Sequence, residues 1–431
     1  MRARCVRIFS IQGSRPEIVT TRDLRVAPAV GRSRAAEVKK RPKDRKAQIA
    51  AAAAIAFSER GYHGVSVEDI ASSVGISPSA LYRHFPKKYA LFQYSALSLM
   101  EALTEALDSE ESNGPDADPL RRDVLAVIRT TVRNRRTAGI YRWESRFLEP
   151  SDRAVIREHS ILLNRRVGDH LSPSETPIGE HDTKLVVAAM FSAIGSITAH
   201  NLVLPQKTIE RILLSACVAI DRTRFACGRQ GAPLSRRSVL APLGDNKRER
   251  LLHEAVQLFD FHGYHDVKIE EIAAAAGLNA SGMYRYFASK ADLLSAIFYR
   301  AADRLDVATV SVLDASDSPA EALASLSLMY VDLSFAQHEL MSIYFSEMHN
   351  LLPSHRNDLK SRQKLYVAEW ARLLREIRSE LTEPESIFIV HAALNVVPDV
   401  GRLLGFDPEP ENVWKVHCLV SAVLFGGPTE P

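Results

Sequence analysis

The chain has 431 residues, 46% hydrophobic and 25% charged, so it is long enough for two or three globular domains and too apolar for a disordered chain. A formal net charge of +3 gives no sign by itself of a nucleic-acid partner. Cys5, Cys217, Cys227 and Cys418 form no C-x-x-C pair and stand in no histidine pattern, which argues against a zinc site or a disulfide framework and makes a reducing cytoplasm the simplest setting.

The charge is unevenly placed. Residues 1–46 hold 14 Lys/Arg against 4 Asp/Glu, leaving a net of −7 on the rest. A basic arm ahead of a neutral-to-acidic body suits phosphate contact. It equally suits an unselected leader or a start codon placed upstream of the functional one. Residues 1–43 show no apolar period and are expected to be disordered. Their opening, MRARCVRIFSIQGSR, lacks the apolar run of a signal peptide.

Helical periodicity begins at Asp44. Ile49, Ala53, Ala56 and Phe57 form one apolar stripe that stops at Gly61. A second helix starts at the capping-box-like Ser66-x-x-Asp69, buries Ile70, Ala71 and Val74, and ends at Gly75. A third has Ser77 as N-cap and Pro78 in its first turn, and carries Leu81, Tyr82 and Phe85. Two short helices across a glycine turn make a helix-turn-helix, whose second helix enters the major groove. A long helix runs on to about Leu107, followed by the acidic loop DSEESNGPDADP and further helices to about Phe225. Residues 185–204 contain no charged side chain, but Ser192, Gly195, Ser196, Thr198, His200 and Asn201 make them too polar for an unaided membrane span. A buried interface helix is the better reading. Residues 226–245, ACGRQGAPLSRRSVLAPLGD, read as a linker able to cross roughly 65–70 Å when extended.

The pattern then returns. VSVEDIASSVGISPSALYRHFPKKYAL (65–91) reappears 202 residues later as VKIEEIAAAAGLNASGMYRYFASKADL (267–293), and residues 45–95 share 16 identities in 51 positions with their copy. The repeat extends further: Ile140, Tyr141, Glu144, Pro150, Ser151 and Arg153 match Ile343, Tyr344, Glu347, Pro353, Ser354 and Arg356 at a spacing of 203. No segment alternates as a strand would, so the chain is all-α. The expected organisation is an N-terminal extension (1–43), a first helix-turn-helix domain (44–92) with its helical body (93–225), the linker (226–245), and a second helix-turn-helix domain (246–294) with its body (295–431).

The three-helix start, the Gly-Tyr pair and the Tyr-x-x-Phe-x-x-Lys tail resemble the TetR family of bacterial transcriptional regulators. The matching stretches are GYHGVSVEDIASSVGISPSALYRHFPKK and GYHDVKIEEIAAAAGLNASGMYRYFASK. The resemblance implies a three-helix DNA-binding head and a helical body that binds a small inducer and pairs with another copy through its last two helices. Family members are usually half-length homodimeric repressors. Two units in one chain depart from that pattern and leave two arrangements open, an intrachain pseudo-dimer or a homodimer.

Residue types give candidate contacts with double-stranded operator DNA. In repeat one these are Ser66, Ser77, Pro78, Ser79, Ala80, Tyr82, His84 and Lys88, with small side chains leading the helix and Tyr82 and Lys88 assigned to phosphates. Repeat two offers Asn279, Ala280, Ser281, Gly282, Tyr284, Tyr286 and Lys290. Packing between helices, for the tyrosines, and a solvated helix start, for the lysines, are the structural alternatives. Repeat two is weaker on two counts. Lys268 replaces the capping Ser66, and Gly282 sits inside the recognition helix, each at a cost of about 1 kcal/mol. Repeat one is therefore expected to supply more of the affinity, and the operator to be an imperfect palindrome.

For the effector, an unidentified small molecule, Tyr141, Trp143 and Glu144 in the first body and Tyr344, Glu347 and Trp370 in the second are the candidate lining, with Arg146, His159, Phe345 and His349 beside them. The two glutamates suit structural ion pairs or caps as well. No H-E-x-x-H, P-loop or G-x-S-x-G motif occurs, so no catalytic residue, metal or cofactor is expected. The competing class is a helical scaffold whose heads no longer touch DNA; the Lys, Arg and Tyr content of both heads speaks against it.

Overall fold

The computed structural model describes residues 45–109, 118–137, 147–172, 179–223, 225 and 246–426. The basic arm, the linker 226–245, and Tyr141, Trp143, Glu144 and Arg146 lie outside the described residues. Among the described residues every regular element is helical. The first half contains α1 (Arg45–Arg60), α2 (Val67–Ser73), α3 (Pro78–Tyr82), α4 (Lys88–Asp108), α5 (Pro119–Arg133), α6 (Pro150–Gly168), α7 (Glu180–Gly195) and α8 (Gln206–Asp221). The second contains α9 (Lys247–His262), α10 (Ile269–Ala275), α11 (Ala280–Met283), α12 (Lys290–Ala315), α13 (Pro319–Ala336), α14 (His338–Glu347), α15 (Pro353–Ile377), α16 (Glu383–Leu403) and α17 (Pro410–Phe425).

Three apolar clusters organise these helices. In one, the stripe of α1 meets Ile70, Leu81, Phe85, Leu91 and Phe92. Its counterpart joins Leu251, Phe259, Ile272, Met283, Phe287 and Phe298. The third is continuous through both halves, from Leu99 to Leu424. The long helix α4 ties head to body, since Leu91 and Phe92 belong to the head cluster while Leu99, Leu103 and Leu107 belong to the shared core. Helix α12 likewise anchors Leu293 and Phe298 in the second head and rests Leu305 and Val312 on the shared core.

The halves meet where α7 and α8 pack against α16 and α17. The uncharged stretch noted in the sequence supplies α7, whose residues Leu185–Val187 and Ala189–Met190 are buried. Helix α16 is the one described helix long and apolar enough to cross a membrane by length and composition, and 67% of that window is buried within the protein. Where α7 crosses α16, Asn395 Nδ2 donates to the Ser192 carbonyl at 2.7 Å, and the Ser192 hydroxyl reaches the Asn395 carbonyl at 2.6 Å. The two residues are 203 apart, the repeat spacing, so the copies present equivalent positions to each other. Lys415 to Asp182 (2.9 Å) and Arg211 to Glu385 add ion pairs across the seam.

Histidines are enclosed in the same region. His200 stacks on His391 with ring centroids 4.4 Å apart, and Arg135 fixes the backbone beside it by donating to the carbonyls of Ile197, His200 and Leu202, each at 2.7 Å. His417 on α17 meets the Ser327 hydroxyl at 3.1 Å. Burial holds all three neutral, pushing His200 down to about 3 and His391 and His417 to about 4, with His391 and Arg135 adding to the effect on His200. In the unfolded chain a histidine titrates near 6.5, so as pH falls below that value the unfolded state takes up protons that the folded state refuses. Stability from this source is complete above pH 6.5 and is lost towards pH 4, at about 1.4 kcal/mol per pH unit for each histidine. Urea unfolding between pH 7 and 5 will show a midpoint that falls with pH, and His391→Gln will flatten that slope; an unchanged slope would refute the assignment.

Candidate DNA-reading heads and effector cavity

The same local chemistry shapes both heads. Ser66 caps α2, accepting from the Asp69 N–H at 3.0 Å while Asp69 accepts from the Ser66 N–H at 3.1 Å. Lys268 has no acceptor to offer α10, and only the reciprocal half survives, the Lys268 N–H donating to Glu271 at 2.9 Å. Helix α2 ends in a Schellman motif: Ile76 N–H to Ala71 O at 3.0 Å and Gly75 N–H to Ser72 O at 3.1 Å. Leu278 N–H to Ala273 O (2.7 Å) and Gly277 N–H to Ala274 O (2.9 Å) reproduce it. The motif requires a left-handed residue, and Gly75 and Gly277 sit at φ +68° and +70°.

The recognition helices are short. Leu81 and Met283 are their buried anchors, while Phe85 and Phe287 enter the head cores from the turns that follow. Ser77, Ser79, Tyr82 and His84 are exposed, with Pro78 and Ala80 half-buried; Asn279, Ser281, Tyr284 and Tyr286 are exposed, with Ala280 and Gly282 half-buried. Tyr82 and Tyr284 remain 46% and 53% accessible, so packing uses only part of each ring. Ser77 accepts from the Ala80 N–H at 3.2 Å, and the longer Asn279 accepts from the Gly282 N–H at 2.7 Å. A Cβ at Gly282 would lie 3.0 Å from Asn279 Oδ1. The glycine thus makes room for the asparagine cap, a local reason for it that the sequence reading did not contain.

Lys88 and Lys290 occupy equivalent posts, each ammonium 4.4 Å from the ring centre of Tyr62 or Tyr264. Lys290 also donates to the carbonyls of Tyr264 (2.6 Å), Val267 (2.8 Å) and His265 (3.4 Å), clamping the turn between α9 and α10. Burial lowers the pKa of both lysines. A phosphate contact by Lys290 would have to share or replace these bonds.

Glu347, a candidate for the effector site, belongs instead to the junction of body and second head. It is 1% exposed and accepts from Asn350 Nδ2 at 2.7 Å and from the Tyr264 N–H at 3.5 Å. In the following 3-10 turn, Met348–Asn350, the His349 ring lies against Gly61 of the first head, with Nε2 2.7 Å from where a Cβ would stand. His63 and His265 bring the heads together, their rings 5.4 Å apart.

Tyr344 does line a cavity of about 160 Å³, in the second half between α12, α13, α14 and α15. Trp370 stands outside this lining, fully buried behind Tyr330 and Tyr366, whose rings lie 6.1 and 5.6 Å from its own. Burial raises the pKa values of Tyr330, Tyr344 and Tyr366 and keeps all three hydroxyls protonated. Arg304, Gln337, Tyr330 and Tyr366 escaped the sequence reading. The available signal was divergence between copies: Ala102 stands 202 residues before Arg304, and Leu163 stands 203 before Tyr366. Among the described residues of the first body, a cavity of about 20 Å³ is lined by Leu103, Val127, Thr131 and Phe191 with their neighbours.

Comparison with known proteins agrees with this doubled architecture. The family model described as "Bacterial regulatory proteins, tetR family" matches twice, at residues 49–94 and 251–297. The HTH-type transcriptional regulator TtgR of Pseudomonas putida is 30% identical over 182 residues, covering 39% of this chain and 84% of TtgR. The HTH-type transcriptional activator FasR of Mycolicibacterium smegmatis is 34% identical over 77 residues, 17% of this chain and 35% of FasR. Among solved structures, the ketosteroid transcriptional regulator KstR2 of Mycobacterium tuberculosis superposes with a TM-score of 0.38 at 20% identity, over 45% of this chain and all of KstR2. Two matches to the family's model, and a relative covered over most of its length at 30% identity, establish that the chain belongs to the TetR family of bacterial regulatory proteins and carries that family's unit twice.

Proposed function

We propose that the chain is a ligand-responsive repressor that reads one operator with two unequal heads and releases it when a small molecule occupies the body. The observation that carries this reading is the single apolar core running through both halves while a complete helix-turn-helix stands at the start of each. That arrangement supports an intrachain pseudo-dimer, for which we keep the proposed limits of 44–92 and 246–294 for the heads and 93–225 and 295–431 for the bodies. The proposed contacts are Ser77, Pro78, Ser79, Ala80, Tyr82 and His84 in the first head and Asn279, Ala280, Ser281, Gly282, Tyr284 and Tyr286 in the second. Ser66 is read as a cap that aims α2, and Lys88 and Lys290 as clamps whose charge also favours the phosphate backbone. A regulator of this family acts by binding rather than catalysis, in the compartment that holds the DNA. Release follows when the ligand prefers a conformation unable to bind the operator.

Three measurements test the proposal. Sedimentation equilibrium is expected to give a mass near the chain's own 47.8 kDa, whereas twice that mass would mean pairing between chains. In gel shifts with the DNA upstream of its own gene, Tyr82→Ala should weaken binding ~10-fold, the size of one charge-assisted hydrogen bond, and Tyr284→Ala by less. Unchanged binding in the double variant would remove both tyrosines from the interface. Selection from random DNA should return half-sites that differ from each other, because Ser77, Ala80 and His84 face Asn279, Gly282 and Tyr286 at matching positions. A strict palindrome would instead show two copies of one head acting together.

A further inference from the structure

We infer that the second half holds a one-per-chain chamber for a small organic acid, a carboxylate carried on an apolar body about the size of a single ring. This deepens the ligand-responsive reading above and rests on it for the effect at the operator; binding itself stands apart from DNA.

Size comes first. The cavity of about 160 Å³ compares with the roughly 150 Å³ cavity known to hold benzene. Its walls are apolar and aromatic, with Phe298, Tyr330 and Tyr366 among them. The wall also carries polar groups; its one carboxylate, Asp306, stands 3.8 Å from the Arg362 guanidinium, and two of the donors have no acceptor among the described residues. Gln337, at the junction of α13 and α14, is 7% exposed, and its buried Nε2 has no hydrogen-bond partner among the described residues. Arg304 on α12 is half-buried, and its buried Nη1 also has no partner there.

The neighbouring cations are already neutralised. Arg362, which also lines the cavity, is held by Asp303 at 2.6 Å, with Asp306 and Asp358 within 3.8 Å, and Arg300 is paired with Glu249. Arg304 has no ion pair among the described residues. Arginine does not give up its proton in this setting, so the chamber presents a fixed positive charge beside an amide donor, both lacking an acceptor. Leaving such donors buried is unfavourable, and a carboxylate satisfies both with charge-assisted bonds while its apolar body fills the aromatic end. A cation would be repelled, and a neutral amide would leave the charge of Arg304 unmatched.

The chamber belongs to one half only. Ala102 in place of Arg304 removes the charge, Leu163 in place of Tyr366 removes the phenol, and the described residues of the first body line a cavity of about 20 Å³. That volume holds a water and little more. The acid is therefore expected in the second half alone, where the charge is, at one equivalent per chain although the unit is present twice.

Titration calorimetry on the full chain tests this with benzoate, phenylacetate and 4-methylpentanoate, each against its primary amide. At least one acid is expected to saturate at one equivalent per chain and to bind at least ~10-fold more tightly than its amide, the size of one charge-assisted hydrogen bond. Arg304→Gln should erase that preference and Arg304→Lys should keep it, with the helical content of both variants matching the parent by circular dichroism. Failure of all three acids to saturate, equal binding of acid and amide, or two equivalents per chain would each overturn the inference. Acid binding without any operator shift would overturn the repressor reading and leave the chamber standing; release of the operator by acid and amide alike would do the reverse.

Discussion

Everything in this molecule depends on the burial of α7 and α8 against α16 and α17. Apolar side chains from both halves form one cluster there, and removal of such surface from water is the largest favourable contribution to a fold of this kind. At the centre, the Ser192 and Asn395 pair satisfies polar groups that would otherwise be stranded in an apolar seam. The pair also fixes register. Sliding one helix along the other would leave a buried amide and a buried hydroxyl unmatched, a penalty of about 1–3 kcal/mol for each orphaned group. Joining the halves in one chain adds a further advantage, because the second copy is always at hand and the seam need not be strong enough to assemble from dilute chains.

Covalent linkage also relaxes the demand for identity. Two separate copies must be the same, so a change that helps one reading head or one cavity is imposed on both. Here the copies keep what the fold requires and differ elsewhere. The Schellman turns at Gly75 and Gly277, the aromatic-capped lysines, and the buried anchors Leu81 and Met283 persist. The recognition helices change together with their caps: Ser77 goes with Ala80, and the longer Asn279 goes with Gly282. A substitution that looks like decay in isolation is half of a matched pair.

The heads were legible from the sequence because their determinants are local. Caps, turn glycines and a 3.6-residue apolar period all lie within a short stretch of chain, and they foretold the order of α1 to α3 and of α9 to α11. The cavity in the second half was not legible, because Arg304, Gln337 and Tyr366 come from three separate places in the chain and meet only after folding. Tyr344 and Glu347 show the limit of spacing arguments. Three residues apart on one helix, they suggested a shared pocket, yet Tyr344 lines the cavity while Glu347 accepts the Tyr264 N–H of the head. Lys290 is a similar case. Its charge pointed to phosphate, and only the folded turn reveals the carbonyls it holds.

Helix α14 gives the asymmetry a mechanical sense. Its body contributes Leu340, Met341 and Tyr344 to the cavity wall, its last residue bonds the turn of the second head, and the His349 ring just beyond it presses on Gly61 of the first. One short rod thus ends at both heads. A tilt of that rod would bear on both heads at once, so it couples the second body to the spacing between the heads as well as to the pose of each.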